Sequence, residues 1–206
     1  MISEVYNEDC MVGMKRYPDK YFDLAIVDPD FGLNEKISSG GTWASKYKKD
    51  DGNLGGKPNK QYFKDLFRVS QNQIIWGGNY FIEYLYSTRC YIIWDKVAKM
   101  DTLADCEIAW TSFDRNAKIY CHVRNTSEKR IHICQKPIDL YKWILKNYAK
   151  EGDKILDTHL GAGSNRIACH EGGFDFVGFE IDKDYFNAQE KRFNIYKAQG
   201  NLFLHE

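Results

Sequence analysis

The sequence predicts an α/β fold in which helices cover both faces of a mostly parallel sheet. Three observations indicate this: short apolar runs of strand length, their alternation with helical segments towards the C-terminus, and a glycine turn directly after one run. The chain has 206 residues, 43% of them hydrophobic, which suffices for a substantial core. We therefore expect seven strands in a single domain, 1–206, with one antiparallel hairpin.

Five apolar runs form the first part of the predicted sheet. Asp23–Asp28, Gln73–Gly78 and Cys90–Asp95 are continuously apolar, which is typical of parallel strands buried on both faces. Glu107–Trp110 and Lys118–His122 flank a polar stretch. This arrangement predicts an antiparallel hairpin at an edge of the sheet.

The C-terminal third alternates helices and strands more regularly. Helical spacing of apolar residues begins after a proline that suits a first turn, and two strands follow, each leading into a helix. The predicted elements are a helix over Pro137–Lys150, a strand over Lys154–Asp157, a helix over Gly163–Glu171, a strand over Phe176–Glu180 and a helix over about Lys183–Lys197. This β-α-β succession implies a right-handed crossover and parallel strands.

A glycine-rich segment, Gly32–Asn59, separates the first strand from the rest. It holds seven Gly and Pro residues and few apolar ones, and a loop of this length in a compact domain is usually functional or disordered. It leaves the chain directly after Asp28-Pro29-Asp30-Phe31. We expect it to be a mobile lid over a site at that tetrapeptide.

Charge is unevenly distributed although Lys/Arg and Asp/Glu balance at 29 each. Gly32–Lys64 has seven basic and three acidic residues, and Arg115–Lys136 has six basic and one acidic. Solvated surface charge is the ordinary interpretation of either segment. Two basic segments flanking one candidate site favour phosphate contact, which makes DNA or RNA a candidate partner.

Cysteine usage and hydropathy bear on the compartment. None of the six cysteines forms a Cys-x-x-Cys pair, so we interpret them as ordinary buried thiols and expect neither disulfides nor a metal site. No apolar run approaches the roughly 20 residues that span a membrane, and the N-terminus lacks a secretory signal. These features predict a cytoplasmic protein without a membrane partner.

A nucleotide-binding pattern lies in the C-terminal third. A strand ending at Asp157 leads into the glycine turn Gly161-Ala-Gly163, and an acid, Glu180, ends the next strand. Glycines let a ligand approach the backbone, and an acid at that place can accept both hydroxyls of a ribose. The third glycine of the dinucleotide fingerprint is absent, which favours a lone nucleoside over a pyrophosphate cofactor. Tight packing alone is the alternative interpretation of the turn.

Five motifs in order extend this pattern over nearly the whole chain. They are Asp28-Pro29-Asp30-Phe31, Trp76-Gly-Gly-Asn-Tyr80, Trp94-Asp-Lys96, His132-Ile-Cys-Gln-Lys-Pro137 and Asp157-Thr-His-Leu-Gly-Ala-Gly163. The sequence resembles the permuted, β-class DNA amino-methyltransferases, especially the small adenine-specific ones of bacteria and phages. The resemblance implies a Rossmann-like methyltransferase fold, S-adenosylmethionine (SAM) as cofactor, DNA as substrate, a homodimer, and the cytoplasm of a bacterial or phage-infected cell.

The resemblance also implies roles for individual residues. Within 1–131, the catalytic half, it makes Asp28, Pro29, Asp30 and Phe31 catalytic. The half 132–206 is implied to bind SAM, with Glu180 on the ribose and 157–163 around the methionine moiety, while Asn7–Cys10 borders the adenine. The full set of implied cofactor residues is Asp9, Cys10, His132, Gln135, Lys136, Asp157, His159, Gly161, Gly163, Ser164, Glu180 and Asp182.

The residue types of the tetrapeptide suit methylation of an amino group. An adenine amino nitrogen is a poor nucleophile because its lone pair is delocalised into the ring. The Asp28 carboxylate and the Pro29 carbonyl can accept hydrogen bonds from its two N–H groups and stabilise the positive charge that develops on the nitrogen. Phe31 can stack on the base. The base would have to be flipped out of a duplex. An ordinary Asp-Pro turn is the alternative interpretation of these residues.

One departure from the family pattern keeps other functions open. Asp30 stands where relatives usually have a second proline, so the turn loses a rigid ring and gains a negative charge. The resemblance implies that an aspartate in first place of the tetrapeptide, here Asp28, favours adenine N6 over cytosine N4. The alternatives are a cytosine-N4 or RNA amino-methyltransferase, or a catalytically silent relative that only binds DNA or cofactor because of Asp30.

Overall fold

The computed structural model describes residues 2–32, 56–97, 104–123, 130–132 and 134–202. Most of the predicted lid, 33–55, and part of the second basic segment, 124–129, lie outside the described residues. The prediction of a mobile lid therefore stays a prediction.

Eight strands, one more than predicted, form a single sheet in the order β1-β8-β7-β2-β3-β5-β4-β6. The additional strand is β1, a short and partly exposed edge strand that pairs in parallel with β8. Its four residues mix polar and apolar types, so no apolar run marked it in the sequence. The strands are β1 Ser3–Tyr6, β2 Phe22–Val27, β3 Ser70–Trp76, β4 Tyr91–Asp95, β5 Cys106–Thr111, β6 Lys118–Cys121, β7 Lys154–Asp157 and β8 Asp175–Phe179.

The predicted hairpin of β5 and β6 is wrong, because these two strands are not neighbours in the sheet. β5 lies between β3 and β4 and runs antiparallel to both, whereas β6 forms the edge and pairs in parallel with β4. Ala109 and Trp110 of β5 are buried between the neighbouring strands, and β6 is largely exposed. The more apolar strand thus occupies the interior position, which buries more apolar surface than a hairpin at the edge would.

Helices cover both faces of the sheet, as predicted. They are α1 Cys10–Gly13, α2 Lys60–Val69, α3 Ile138–Tyr148, α4 Ser164–Gly172 and α5 Lys183–Leu202. One apolar core joins the sheet to α3 and α4 and to Phe193 of α5. The other joins the opposite face to α2. α2 begins where the predicted loop ends, since the Asn59 side chain accepts hydrogen bonds from the backbone N–H groups of Gln61 (2.9 Å) and Tyr62 (3.3 Å).

The two predicted halves of the chain meet where β2 pairs with β7 in parallel. From this pair the chain continues outward in both directions, through α2 to β3 and through α4 to β8. Such a reversal of strand order leaves a crevice at the carboxyl ends of the strands. Asn165 bridges the two strands there, because its side-chain N–H group donates to the Ile26 carbonyl (3.2 Å) and to the Asp157 carboxylate (3.1 Å).

Two sequence expectations concern the surface. Among the described residues, no helix combines the length and the apolar character needed to cross a membrane. All six cysteines are free thiols, and Cys90 and Cys169 are buried. The expectation of buried thiols is wrong for Cys121 and Cys134, which are exposed. Cys121 lies on β6, which is the last strand of the sheet formed by the described residues.

Candidate active site

The tetrapeptide Asp28-Pro29-Asp30-Phe31 follows β2 directly, at the carboxyl edge of the sheet. The Asp28 side chain is only 15% exposed, and its Oδ2 accepts a hydrogen bond from the Lys136 ammonium at 2.5 Å. Its Oδ1 is buried and has no hydrogen-bond partner among the described residues. A buried carboxylate oxygen without a partner carries a large desolvation penalty. Asp28 therefore presents one oxygen that is held and one that is open to a donor.

Lys136 belongs to a buried chain of alternating charges. Its ammonium lies 3.1 Å from Oε2 of Glu107, whose Oε1 lies 2.9 Å from the ammonium of Lys96. The side chains of Lys136 and Lys96 are 3% and 6% exposed. Lys136 was expected to border the cofactor, and its ammonium contacts Asp28. Glu107 and Lys96 were assigned no role, although a glutamate opening an apolar strand is a signal that could have indicated one.

The charges of this chain shift the pKa of its members in opposite directions. Burial raises the pKa of Asp28, and Lys136 opposes this shift while the negative charges of Glu107 and Asp30 add to it. Burial also acts to raise the pKa of Glu107, but the two lysines outweigh it and lower that pKa to about 2. For Lys136, burial is outweighed by the two carboxylates, which raise its pKa. Glu107 and Lys136 are thus held in their charged forms, whereas burial favours the neutral form of Asp28.

Asp30 replaces the missing proline ring with a hydrogen bond. Its Oδ1 accepts from the backbone N–H of Gly32 at 2.8 Å, an Asx turn that holds the chain after the tetrapeptide. Gly32 has a φ of +74°, a conformation that favours glycine. The turn that was expected to lose rigidity is therefore fixed by the Asp30 side chain.

Phe31 packs against a second aromatic ring and lies close to the backbone of one glycine. Its ring stacks on Tyr80 with a centroid distance of 5.0 Å and an interplanar angle of 14°. Its other close neighbour is Gly77, where an added Cβ would lie 2.1 Å from Cε1 of Phe31. Tyr80 is 40% exposed, so the pair lies at the rim of the site. A stacked aromatic pair thus follows Asp28 closely along the chain.

The glycine turn between β7 and α4 is supported by Glu180, which follows β8. One carboxylate oxygen accepts from the backbone N–H of Gly161 at 2.8 Å, and the other accepts from that of Asp182 at 2.9 Å. Gly163 has a φ of +71°, and no side chain in the described part of the chain caps the N-terminus of α4 that follows it. The turn therefore combines a buried acid with an uncapped helix N-terminus, a donor and acceptor set that fits a nucleoside carrying a carboxylate.

Asp157 is a buried acid that joins this turn to the sheet. Its oxygens accept from the His159 backbone N–H (3.0 Å) and from Asn165 (3.1 Å). Burial raises the pKa of Asp157 to about 7, although these hydrogen bonds oppose the shift. Burial also lowers the pKa of His159 to about 4, so this imidazole is neutral at pH 7. Its Nδ1 lies 2.9 Å from the Thr158 hydroxyl, which in turn contacts Tyr62 of α2.

Several of the expected cofactor residues have structural contacts of their own. Asp182 caps α5 by accepting from two backbone N–H groups of its first turn, and Asp9 caps α1 by accepting from the N–H of Met11 at 2.8 Å. The Ser164 hydroxyl accepts from Arg192 at 3.0 Å. Gln135 is buried, and its Oε1 accepts from the backbone N–H of Ile131 at 2.9 Å. These contacts are compatible with ligand binding but do not require it.

Two further expected residues border the glycine turn from other segments. The His132 ring packs against Tyr185 at a centroid distance of 4.3 Å and lies 3.6 Å from where a Cβ at Gly161 would be. Asn7, in the segment expected to border the adenine, donates to the Glu180 carbonyl at 2.8 Å. The neighbouring Cys10 thiol has its pKa raised by burial to about 12. The structure thus brings these residues and Glu180 to one edge of the sheet.

Comparison with known proteins identifies the family. A family model described as DNA methylase matches residues 19–191, which covers most of the chain. The chain belongs to this DNA methylase family. The match includes the tetrapeptide, Lys136 and the glycine turn, and it confirms the resemblance seen in the sequence. The family includes both N6 and N4 methylases, so membership alone does not decide between adenine N6 and cytosine N4 as the target.

Curated relatives of this DNA methylase share segments of its sequence. The type II methyltransferase M.HindIII of Haemophilus influenzae is 36% identical over 85 residues, which is 41% of this chain and 27% of the relative. The type II methyltransferase M2.DpnII of Streptococcus pneumoniae is 36% identical over 61 residues, 30% of this chain and 23% of the relative. The aligned segments span about a quarter of these relatives.

Solved structures share the fold over nearly the full length of this DNA methylase. The M1.HpyAVI–SAM complex has a TM-score of 0.62 at 20% identity and covers 93% of this chain and 100% of its own. The cytosine-N4-specific PvuII DNA methyltransferase has a TM-score of 0.64 at 12% identity, covering 94% and 90%. These similarities confirm the Rossmann-like methyltransferase fold.

Proposed function

We propose that this protein transfers a methyl group from SAM to the N6 amino group of adenine in DNA. The observation that carries the proposal is the Asp28 carboxylate, with Oδ2 held by Lys136 and Oδ1 buried without a partner among the described residues. It follows β2, the strand that pairs with β7 of the glycine turn. Acceptor and candidate cofactor turn therefore share one crevice.

The chemistry follows from the acceptors that the tetrapeptide offers. When bound, SAM supplies an electrophilic methyl group. The open Asp28 oxygen and the Pro29 carbonyl accept hydrogen bonds from the two N–H groups of the amine. These hydrogen bonds pull the nitrogen towards tetrahedral geometry, so its lone pair is no longer delocalised into the ring. Their negative character then stabilises the positive charge that develops on the nitrogen. Phe31 holds the face of the base, so positioning supplies much of the acceleration.

We propose the following binding roles for the remaining site residues. Glu180 accepts the ribose hydroxyls, residues 157–164 surround the methionine moiety together with His132, and Asn7–Cys10 borders the adenine of SAM. The target adenine is flipped out of the duplex to reach Asp28. A homodimer would enlarge the DNA-contacting surface of this short chain, and the substrates place the protein in the cytoplasm of a bacterial or phage-infected cell.

Methyl transfer from labelled SAM to DNA tests this proposal. The product is digested to nucleosides, so N6-methyladenine is separated from N4-methylcytosine, and RNA is assayed in parallel. N6-methyladenine is the expected product. N4-methylcytosine would instead favour the cytosine-N4 specificity of the PvuII enzyme, whose fold this chain shares. Cofactor binding without transfer to any duplex or single-stranded DNA would contradict the proposal and favour a silent relative.

Asp30 is expected to act through its turn, not through its charge. Asp30→Asn keeps the oxygen that accepts from Gly32 and should retain activity, whereas Asp30→Ala removes it and should lower kcat by about tenfold through misplacement of the tetrapeptide. Asp30→Pro restores a rigid ring and should remain active. Steady-state kinetics on all three variants measure this. Equal losses in the Asn and Ala variants would show that the charge matters instead.

Gly77→Ala should weaken DNA binding by displacing Phe31. The new Cβ would lie 2.1 Å from Cε1 of Phe31, and the backbone φ of +65° disfavours any side chain. We expect the KM for DNA to rise by about tenfold, with SAM affinity unchanged. Gly152→Ala is the matched control, because Gly152 has a φ of +84° but no atom near its added Cβ. Similar kinetics in the two variants would show that backbone strain alone is responsible.

A further inference from the structure

The ammonium of Lys136 is shared between two carboxylates from different strands. It lies 2.5 Å from Oδ2 of Asp28, after β2, and 3.1 Å from Oε2 of Glu107, at the start of β5. Glu107 in turn is held at its other oxygen by Lys96, 2.9 Å away after β4. Because β5 is antiparallel to its neighbours, its first residues lie at the same edge of the sheet as the last residues of β3 and β4.

We infer that Glu107 is a positioning residue. It shares the Lys136 ammonium with Asp28 and so keeps one Asp28 oxygen free for the target amine. The inference rests on the proposed function. It assigns to Glu107 and Lys96 no contact with substrate; they act through Lys136.

The physical reason is competition for one cation at a buried position. A buried carboxylate and ammonium attract each other strongly when they are each other's only partner. Without Glu107, all three N–H donors of Lys136 would be available to Asp28, and the oxygen intended for the target amine would be drawn into the pair. With Glu107 present, the ammonium is pulled from both sides. Lys96 limits the attraction of Glu107 for the Lys136 ammonium, because Lys96 is the partner of the other Glu107 oxygen.

The other ionisable groups around Asp28 come from several elements. Asp30 lies in the same turn, and Glu107 and Lys136 face Asp28 from β5 and from the segment before α3. The remaining groups that interact electrostatically with Asp28 are Tyr62 of α2, Cys134, Tyr141 of α3 and Asp157 of β7. Within this set Lys136 is the group that carries a positive charge. Burial raises the pKa of Asp28 most, and the balance between Lys136 and Glu107 adjusts it further.

Two substitutions should move the titration of Asp28 in opposite directions. Glu107→Gln removes a negative charge, so that Asp28 no longer competes with Glu107 for the Lys136 ammonium. The midpoint of the Asp28 titration should therefore fall by about one pH unit. Lys96→Met removes the second cation of Glu107, which then draws Lys136 away from Asp28. The midpoint should then rise by a similar amount. Lys96→Arg should restore the natural midpoint.

Carboxyl carbon NMR of the full chain with labelled aspartate measures this titration, with Asp28→Asn assigning the signal. Asp19→Asn is the matched control: it removes an exposed acid that lies 3.3 Å from Arg68, and its Asp28 midpoint should equal that of the natural chain. Midpoints that stay in place, or that move in the same direction in both variants, would overturn the inference. This readout needs no methyl transfer, so it remains informative even if the proposed function fails.

Kinetics provide the second readout. The acid limb of the kcat profile should move with the NMR midpoints, to lower pH in Glu107→Gln and to higher pH in Lys96→Met. In Glu107→Gln the plateau of kcat should fall by about tenfold, because the reactive oxygen is engaged, while the affinity for SAM is unchanged. A merely structural role would change thermal stability and leave the acid limb where it is. An inactive natural chain would instead contradict the proposed function.

Discussion

Asp28→Ala should lower kcat for methyl transfer by about a thousandfold or more and leave the affinity for SAM unchanged. The reason is that, in the proposed mechanism, the Asp28 carboxylate acts on the target amine, where charge develops in the transition state, and SAM binding does not depend on it. Removing it also leaves Lys136 with Glu107 as its charge partner. Radiolabelled methyl transfer at saturating SAM and DNA measures the loss, and calorimetric titration measures SAM binding.

Asp28→Asn separates the chemistry from the fold. The amide keeps the shape of the side chain, and its oxygen can accept from Lys136 in place of Oδ2. Its NH₂ group would then face the target amine and oppose donor with donor, so this variant should be as inactive as the alanine variant. Asp19→Asn, which removes an exposed acid, should keep full activity. Transfer by either Asp28 variant within tenfold of the natural chain would contradict the catalytic role.

Glu180→Ala should have the reciprocal effect and weaken SAM binding by about a hundredfold. Two hydroxyl bonds to a charged acceptor would be lost, each contributing about 1.5 kcal/mol or more, and the Gly161 backbone would lose the oxygen that holds it at 2.8 Å. Binding is measured by calorimetry. At saturating SAM, kcat should fall far less than in Asp28→Ala, because Glu180 lies on the cofactor side of the crevice.

Cofactor analogues separate ribose recognition from support of the glycine turn. The natural chain should bind an analogue without ribose hydroxyls more weakly than the complete molecule. In Glu180→Ala the two should bind alike, because the acceptor of the hydroxyls is gone. If the variant still discriminated between them as strongly as the natural chain, Glu180 would support the turn without contacting the ribose.

Local pattern predicted the two strand ends that carry the chemistry. The apolar run before Asp28 and the run before the Gly161 turn each predicted a strand followed by a site, and both lie at the same edge of the sheet. These features were readable because a buried strand and a glycine turn leave their mark on adjacent residues. The Asx turn of Asp30 was not predicted, because relatives usually have a proline at this position, and a proline side chain cannot accept a hydrogen bond.

The place of β5 could not be read from the sequence in the same way. Its apolar run predicted a strand, but its neighbour along the chain, β6, was taken as its partner. Strand order depends on contacts between distant residues and on how much apolar surface each arrangement buries. The apolar run of one strand does not indicate either of these. Glu107 consequently looked like an ordinary residue at the beginning of an edge strand, and its contact with Lys136 was missed.

The sequence by itself determined that Asp28 ends a buried strand, that a glycine turn and Glu180 follow two others, and that the chain resembles the DNA amino-methyltransferases. Each of these depends on residues close together in the chain. Only the tertiary structure decided which charges surround Asp28. Lys136 and Glu107 reach it from a different half and from an inserted antiparallel strand, and burial makes their attraction strong enough to hold one of its oxygens while the other stays open.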